Sequence, residues 1–202
     1  MNIRRAGSSA LLIECRDGAH VEAWRVELWR RREAGELAVV DIVPGARTVL
    51  LDGVAPGTAS LLGTWAPEEN AASVPDSPLV EIPTAFDGED LDDVAERWGI
   101  TRDRAVARLT DTELTVAFCG FAPGFAYLRR LKDEWAVPRL AAPRPRVPAG
   151  AVALAGGYAG IYPTASPGGW RLVGHTTANL FDVRREPPAL LTPGTRVRLV
   201  AK

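Results

Sequence analysis

Arg144 and Arg146 have the spacing in this sequence best suited to chemistry, because Pro143, Pro145 and Pro148 are interleaved with them. Proline holds the backbone extended, and in an extended chain residues i and i+2 point the same way, so both guanidiniums can face one side. Such a pair can bind a carboxylate or phosphate bidentately, or serve as an ordinary solvated face. Near them in sequence stand Phe121, Phe125, Tyr127, Tyr162 and Trp170, brought together by turns rather than by a helical or strand period. An aromatic groove rimmed by arginine suits a polar small molecule or a partner's loop, with some of the rings serving as core.

Other chemistries fare worse. Cys119 and His175 are far apart and sit in no local nucleophile signature, and no third residue orients them. Cys119 also lies in an apolar run where a structural thiol is the norm. Ser166 stands in Ala-Ser-Pro-Gly-Gly, without the strand-turn-helix elbow of a serine nucleophile. The two histidines, His20 and His175, are isolated, and Cys15 and Cys119 match no ligand spacing, so no metal site is expected. Ala155-Gly156-Gly157-Tyr158-Ala159-Gly160 is glycine-rich like a phosphate loop but lacks the lysine and the following helix. His20 is expected at a helix N-terminus, in solvent.

Composition narrows the classes further. The 202 residues are 47% hydrophobic with a formal net charge of −1, enough for real cores and no global argument for nucleic acid or an anionic membrane. Nearly all basic residues are arginine, so a surface arginine alone says little. The N-terminus has no apolar stretch after its arginines, and no run is long enough to span a bilayer. Two reduced cysteines and these absences predict a soluble, cytoplasmic protein.

The elements that must position these groups fall into two halves. The first reads strand Ser9 to Cys15, helix His20 to Glu36, hairpin strands Leu37 to Val43 and Thr48 to Leu51, a short helix Thr58 to Trp65, and strand Leu79 to Ile82. That is a β-α-β-β-α-β order, the ferredoxin-like pattern. Pro75, Pro78 and Pro83 punctuate the exit, placing domains at 1–84 and 85–202. The second half opens with two short helices, one ended by Gly99 and one capped by Thr101 over Arg102 to Leu109. Strands then follow at Leu114 to Cys119, Ala151 to Leu154, Trp170 to Val173, Leu180 to Val183 and Thr195 to Val200. Many short strands between Gly/Pro turns predict a closed or nearly closed β-barrel, giving an α+β fold overall.

Longer motifs carry a resemblance. Gly-Glu-Asp-Leu (88–91), Gly-Phe-Ala-Pro-Gly-Phe-Ala-Tyr-Leu (120–128), Pro-Arg (138–139), Pro-Arg-Pro-Arg-Val-Pro-Ala-Gly (143–150), Gly-Ile-Tyr-Pro (160–163) and Ser-Pro-Gly-Gly-Trp-Arg-Leu-Val-Gly-His-Thr (166–176) occur in order. Nearly the whole chain resembles the bacterial 5-oxoprolinase B-subunit family. That family is also called KipI-like, or allophanate hydrolase subunit 1, and it is related to the carboxyltransferase module of urea carboxylase. The resemblance implies a ferredoxin-like domain followed by a cyclophilin-like β-barrel. It further implies work in a complex with two partners, a homologous, KipA-like C subunit, and a lactam-utilisation A subunit, using ATP as co-substrate to open 5-oxo-L-proline to L-glutamate. Phosphorylating the oxygen of an unstrained lactam makes it electrophilic, and such chemistry wants a groove that holds carboxylate and oxygen. The substrate-binding set expected for it is Arg144, Arg146, Phe121, Pro123, Gly124, Tyr127, Tyr162, Pro167, Gly168, Gly169, Trp170 and His175.

One departure stands out. The family pattern has a histidine and a tyrosine where this sequence has Thr110 and Leu114, so a catalytic role for that histidine cannot operate here. Two alternatives stay open: a KipI-like module that docks on a sensor histidine kinase, and a carboxyltransferase-type subunit of a urea- or allophanate-degrading system.

Overall fold

Asp17 starts the longest helix among the described residues, α1 (Gly18–Glu33), its carboxylate accepting from the His20 amide at 2.8 Å. Gly35, at φ 74°, follows its end in the left-handed conformation that stops a helix. The computed structural model describes residues 2–67, 79–129 and 131–202, and the chain divides into two compact units, Met1–Pro75 and Asp76–Lys202. In the first unit, β1 (Asn2–Ala6), β2 (Ala10–Glu14), β3 (Asp41–Pro44) and β4 (Thr48–Asp52) form an antiparallel sheet of order β1-β2-β4-β3. Alternate residues Leu11, Ile13, Val49 and Leu51 turn inward against Trp24 and Leu28 of α1 and Leu62 of α2 (Thr58–Leu62). Each such side chain contributes roughly 1.5–3 kcal/mol by leaving water.

Three expectations change here. His20 is buried rather than solvated, because Trp24, one helical turn on, donates from Nε1 to its Nε2 at 3.0 Å. β1 precedes the strand read as first, since its Asn-Ile-Arg-Arg-Ala sequence is too polar to show a strand pattern. The strand read as closing this unit exists, as β5 (Leu79–Thr84), but it pairs in parallel with β13 (Arg196–Ala201) of the second sheet. Pro75 and Pro78 lie outside the described residues.

The second unit carries α3 (Leu91–Arg97), α4 (Arg102–Asp111), β6 (Leu114–Cys119), β7 (Ala126–Arg129), β8 (Arg144–Val147), β9 (Ala151–Ala155), β10 (Tyr158–Ile161), β11 (Ser166–Gly168) and β12 (Arg171–His175). Its seven-stranded sheet runs β12-β9-β10-β7-β6-β13-β5, with β8 and β11 paired separately. The sheet nearly closes on itself. Beyond the end of β5, Ala85 exchanges hydrogen bonds of 2.9 and 2.8 Å with His175 on the opposite edge strand, and the Asp90 amide donates to Leu172 O at 2.9 Å. That joint leaves no room for a side chain at Gly88 or Gly174, where a Cβ would collide with the facing backbone of Leu172 or Ala85.

β9 divides two cores. Its Val152 and Leu154 face the larger one, with Leu91 and Val94 of α3, Leu109 of α4 and Leu114 of β6. Its Ala151, Ala153 and Ala155 face the other way, and their small side chains leave space for Phe125, Tyr162 and Trp170. Leu180 to Val183 is not a strand; it makes a single bridge, Phe181 with Ala189, while the Arg185 guanidinium takes up the carbonyls of Asn179, Leu180 and Pro188. Among the described residues no helix is long and apolar enough to cross a membrane.

Candidate functional site

The aromatics between β6 and β12 form one continuous cluster. Phe125 lies edge-on to Tyr162 at 5.3 Å and to Trp170 at 5.6 Å, and Tyr127 is 5.5 Å from Trp170. Phe121 meets Phe125 at 5.3 Å from the outer side. Edge-to-face contacts of this kind fix ring orientations beyond what burial alone achieves. Between the rings and the Pro167-Gly168-Gly169 strand opens a cleft of about 120 Å³, lined by Phe121, Phe125, Tyr127, Tyr162, Trp170 and Arg139 besides that strand. Gly168 has no side chain because a Cβ there would strike the Tyr162 hydroxyl, and one on Gly160 would press on Trp170 and Phe125 at 2.9 and 3.0 Å. Burial raises the Tyr162 phenol above its ordinary pKa, so it stays a neutral hydrogen-bonding group beside the Trp170 backbone.

The arginine at this cleft is Arg139. Its guanidinium is 6.0 Å from the Trp170 ring centre, and among the described residues no carboxylate pairs with it. The segment carrying it is anchored on both sides: Arg171 Nε donates to Pro138 O at 3.0 Å, and the Leu140 amide donates to Gly169 O at 2.7 Å. Arg171 is itself buried and paired with Asp93 of α3. Hydrogen bonding from Arg97, aided by the charge of Arg171, holds the Asp93 carboxyl below the usual carboxylate range. A cation presented at the edge of an apolar, rigid cleft can take the carboxylate of a small ring compound.

The expected arginine pair is placed differently. Arg144 turns inward, its Nη2 donating to both oxygens of Asp90 at 2.8 and 2.9 Å and its Nε facing Glu89 at 2.7 Å. Asp90 in turn accepts from the Leu172 amide at 2.6 Å. Arg144 thus fastens the segment that closes the barrel. Arg146 is exposed, and the register of β8 on β11 shifts between Ser166 and Gly168, interrupting the regular alternation that would pair the two guanidiniums. Phe121, Tyr127, Tyr162, Pro167, Gly168, Gly169 and Trp170 come together at the cleft. Pro123 and Gly124 instead form the turn behind it, with Gly124 at φ 83° against Phe181. His175 lies elsewhere, its Nδ1 2.8 Å from Asp87 Oδ1 beside a more open cleft of about 360 Å³ with Pro148 and Leu172.

The remaining motifs resolve as structure. Gly156 and Gly157 make the hairpin turn between β9 and β10, with no helix after them, so the run does not fit a nucleotide-phosphate cradle. Cys119 Sγ donates to Leu191 O at 3.4 Å, and burial pushes its thiol up to about 11, which suits a structural residue. Thr110 donates to Ala107 O within α4, and Leu114 is wholly buried in the larger core. Among the described residues no group of three or more His, Cys, Asp or Glu side chains is placed to hold a metal ion. Sequence reasoning missed Arg139 as the cleft's cation, although its Pro-Arg dipeptide falls inside the aromatic motif region; Arg171 and Asp93 gave no signal, since their contact spans 78 positions.

Comparison with known proteins places this geometry in context. The model of the carboxyltransferase domain, subdomain C and D, matches residues 1–191. The chain is 38% identical over 204 residues to the 5-oxoprolinase B subunit of Escherichia coli O157:H7, covering 96% of this chain and 93% of that one. The crystal structure of TTHA0988 superposes with a TM-score of 0.77 at 33% identity over 100% of this chain, which spans 40% of that longer chain. Urea carboxylase of Kluyveromyces lactis superposes with a TM-score of 0.67 at 20% identity, over 99% of this chain and 21% of its own, a likeness of fold. The barrel implied by the family motifs is therefore the one observed.

Proposed function

Since the chain belongs to the 5-oxoprolinase B-subunit family of carboxyltransferase-domain proteins, we propose that it is the B subunit of an ATP-dependent, cytoplasmic 5-oxoprolinase that opens 5-oxo-L-proline to L-glutamate. In this reading it works with two partners, a homologous C subunit and a lactam-utilisation A subunit, with ATP as co-substrate of the complex. The observation that carries the chemical part is Arg139 at the rim of the aromatic cleft. A 5-oxoproline molecule is a small flat ring bearing one carboxylate. The carboxylate meets Arg139 through charge-assisted hydrogen bonds, and the ring lies against Trp170 and Tyr127, shielded from water. Orienting the ring this way leaves its lactam edge for the partners' chemistry, a positioning role that lowers the entropic part of the barrier.

The urea-linked alternative draws on a likeness at 20% identity, which carries the fold alone. Calorimetric titration of 5-oxo-L-proline into the purified chain tests the site. Wild type binds, and Arg139→Gln binds roughly 10–100-fold more weakly, the loss of one charge-assisted contact. Equal affinity in the two proteins would remove Arg139 from the site.

A further inference from the structure

Phe121 is the one non-glycine among the described residues with a positive φ, at 70°. A bulky side chain in the left-handed region is strained, and the strain persists only where the surroundings enforce it. The surroundings here do so. The Gly120 amide donates to Phe125 O at 3.2 Å and the Phe125 amide to Ala122 O at 2.9 Å, closing a tight turn around Phe121. Gly124 sits against the Leu180 carbonyl and Phe181, which blocks the turn from sliding outward.

The result is a phenylalanine 62% exposed to solvent. Its ring contacts run to two walls of the cleft, Phe125 at 5.3 Å and Tyr162 at 6.2 Å, both edge-on. The strained backbone thus holds a mostly exposed side chain in the lining of a cleft of about 120 Å³, which Trp170 and Arg139 also line. A core role would bury the ring, and a plain turn would place glycine or asparagine at this φ.

We infer that Phe121 is a specificity-determining residue: its ring sets the outer limit of the cleft, admitting a five-membered lactam carboxylate and excluding larger homologues. The inference rests on the lactam reading above. Removing the ring lengthens the cleft without touching Arg139.

Titration of wild type, Phe121→Ala and Phe121→Gly with 5-oxo-L-proline and with its six-membered homologue, 6-oxopiperidine-2-carboxylate, tests it. Wild type prefers the five-membered ring by about tenfold or more, as one extra methylene clashing in a filled pocket requires. Both variants bind 5-oxoproline more weakly and bring the two ligands to within about threefold. Variants that keep the wild-type preference overturn the inference while leaving the lactam reading intact; wild type that binds neither ligand overturns the lactam reading and this inference with it. A thermal melt of the two variants supplies a ligand-free arm. Glycine tolerates the positive φ, so Phe121→Gly melts above Phe121→Ala by about 2–4 °C. The reverse order, which ordinary backbone gives, contradicts the enforced strain on which the proposal stands.

Discussion

Gly168 shows how narrowly the cleft is fitted. A methyl group there would meet the Tyr162 hydroxyl, so Gly168→Ala displaces that ring or the β11 backbone. The expected cost is about 1–3 kcal/mol of stability, read by urea denaturation, together with weakened 5-oxoproline binding. The cysteines give a second residue-scale prediction. Burial raises both Cys15 and Cys119 to about 11, so at pH 8 both react slowly with a disulfide reagent in the folded protein and much faster after unfolding. Fast labelling of Cys119 would contradict its place as a half-buried structural thiol. The aromatic half of the cleft was legible in the sequence because aromatics recur there among glycines and prolines that only a turn-built surface accommodates. Its cation was not. In a chain whose bases are nearly all arginine, residue type says nothing about which guanidinium is held by a carboxylate, and Arg144 finds its partner Asp90 at a separation of 54 positions.

At the scale of elements, the joint between the edge strands β5 and β12 is where the barrel is most dependent on single side chains. Arg144 and Asp90 are mostly buried, with side-chain exposures of 20% and 11%, and Asp90 also takes the Leu172 amide. Arg144→Ala leaves that carboxylate without its main counter-charge, for an expected loss of about 2–4 kcal/mol. Hydrogen exchange checks the location: the amides of Ala85, Asp90 and Leu172 lose protection first, whereas uniform loss across the sheet would place the effect elsewhere. Asp93 ties α3 to Arg171, and its carboxyl is depressed in the fold. A depressed carboxyl adds stability above its unfolded pKa and loses it as pH falls through the folded value. Stability therefore declines on the acid side of the carboxylate range, and Asp93→Asn flattens that decline, measured by denaturation across pH. Strands with clean alternation, such as β13, were readable from sequence. β8 and β11 were not, since proline and glycine hide their pairing, and Leu180 to Val183 looked like a strand although Arg185 takes up its neighbours' carbonyls instead. β5 was legible as a strand but not as a partner of β13, because parallel pairing between the two ends of a long stretch of chain leaves no local mark.

At the scale of the whole molecule, the described residues hold an aromatic cleft with Arg139 in its lining, and the proposed role is to position substrate there for chemistry that partner subunits supply. The family motifs in the sequence pointed to this before any geometry did; local reading of residues alone reached only an aromatic, arginine-rimmed groove. The most direct measurement is glutamate formation from 5-oxo-L-proline and ATP by the purified A and C partners, with and without this chain, and with its Arg139→Gln variant. Turnover is expected only when the chain is present, with a raised KM for 5-oxoproline in the variant. Turnover that is the same without the chain, or no turnover with all three proteins, would contradict the proposed role.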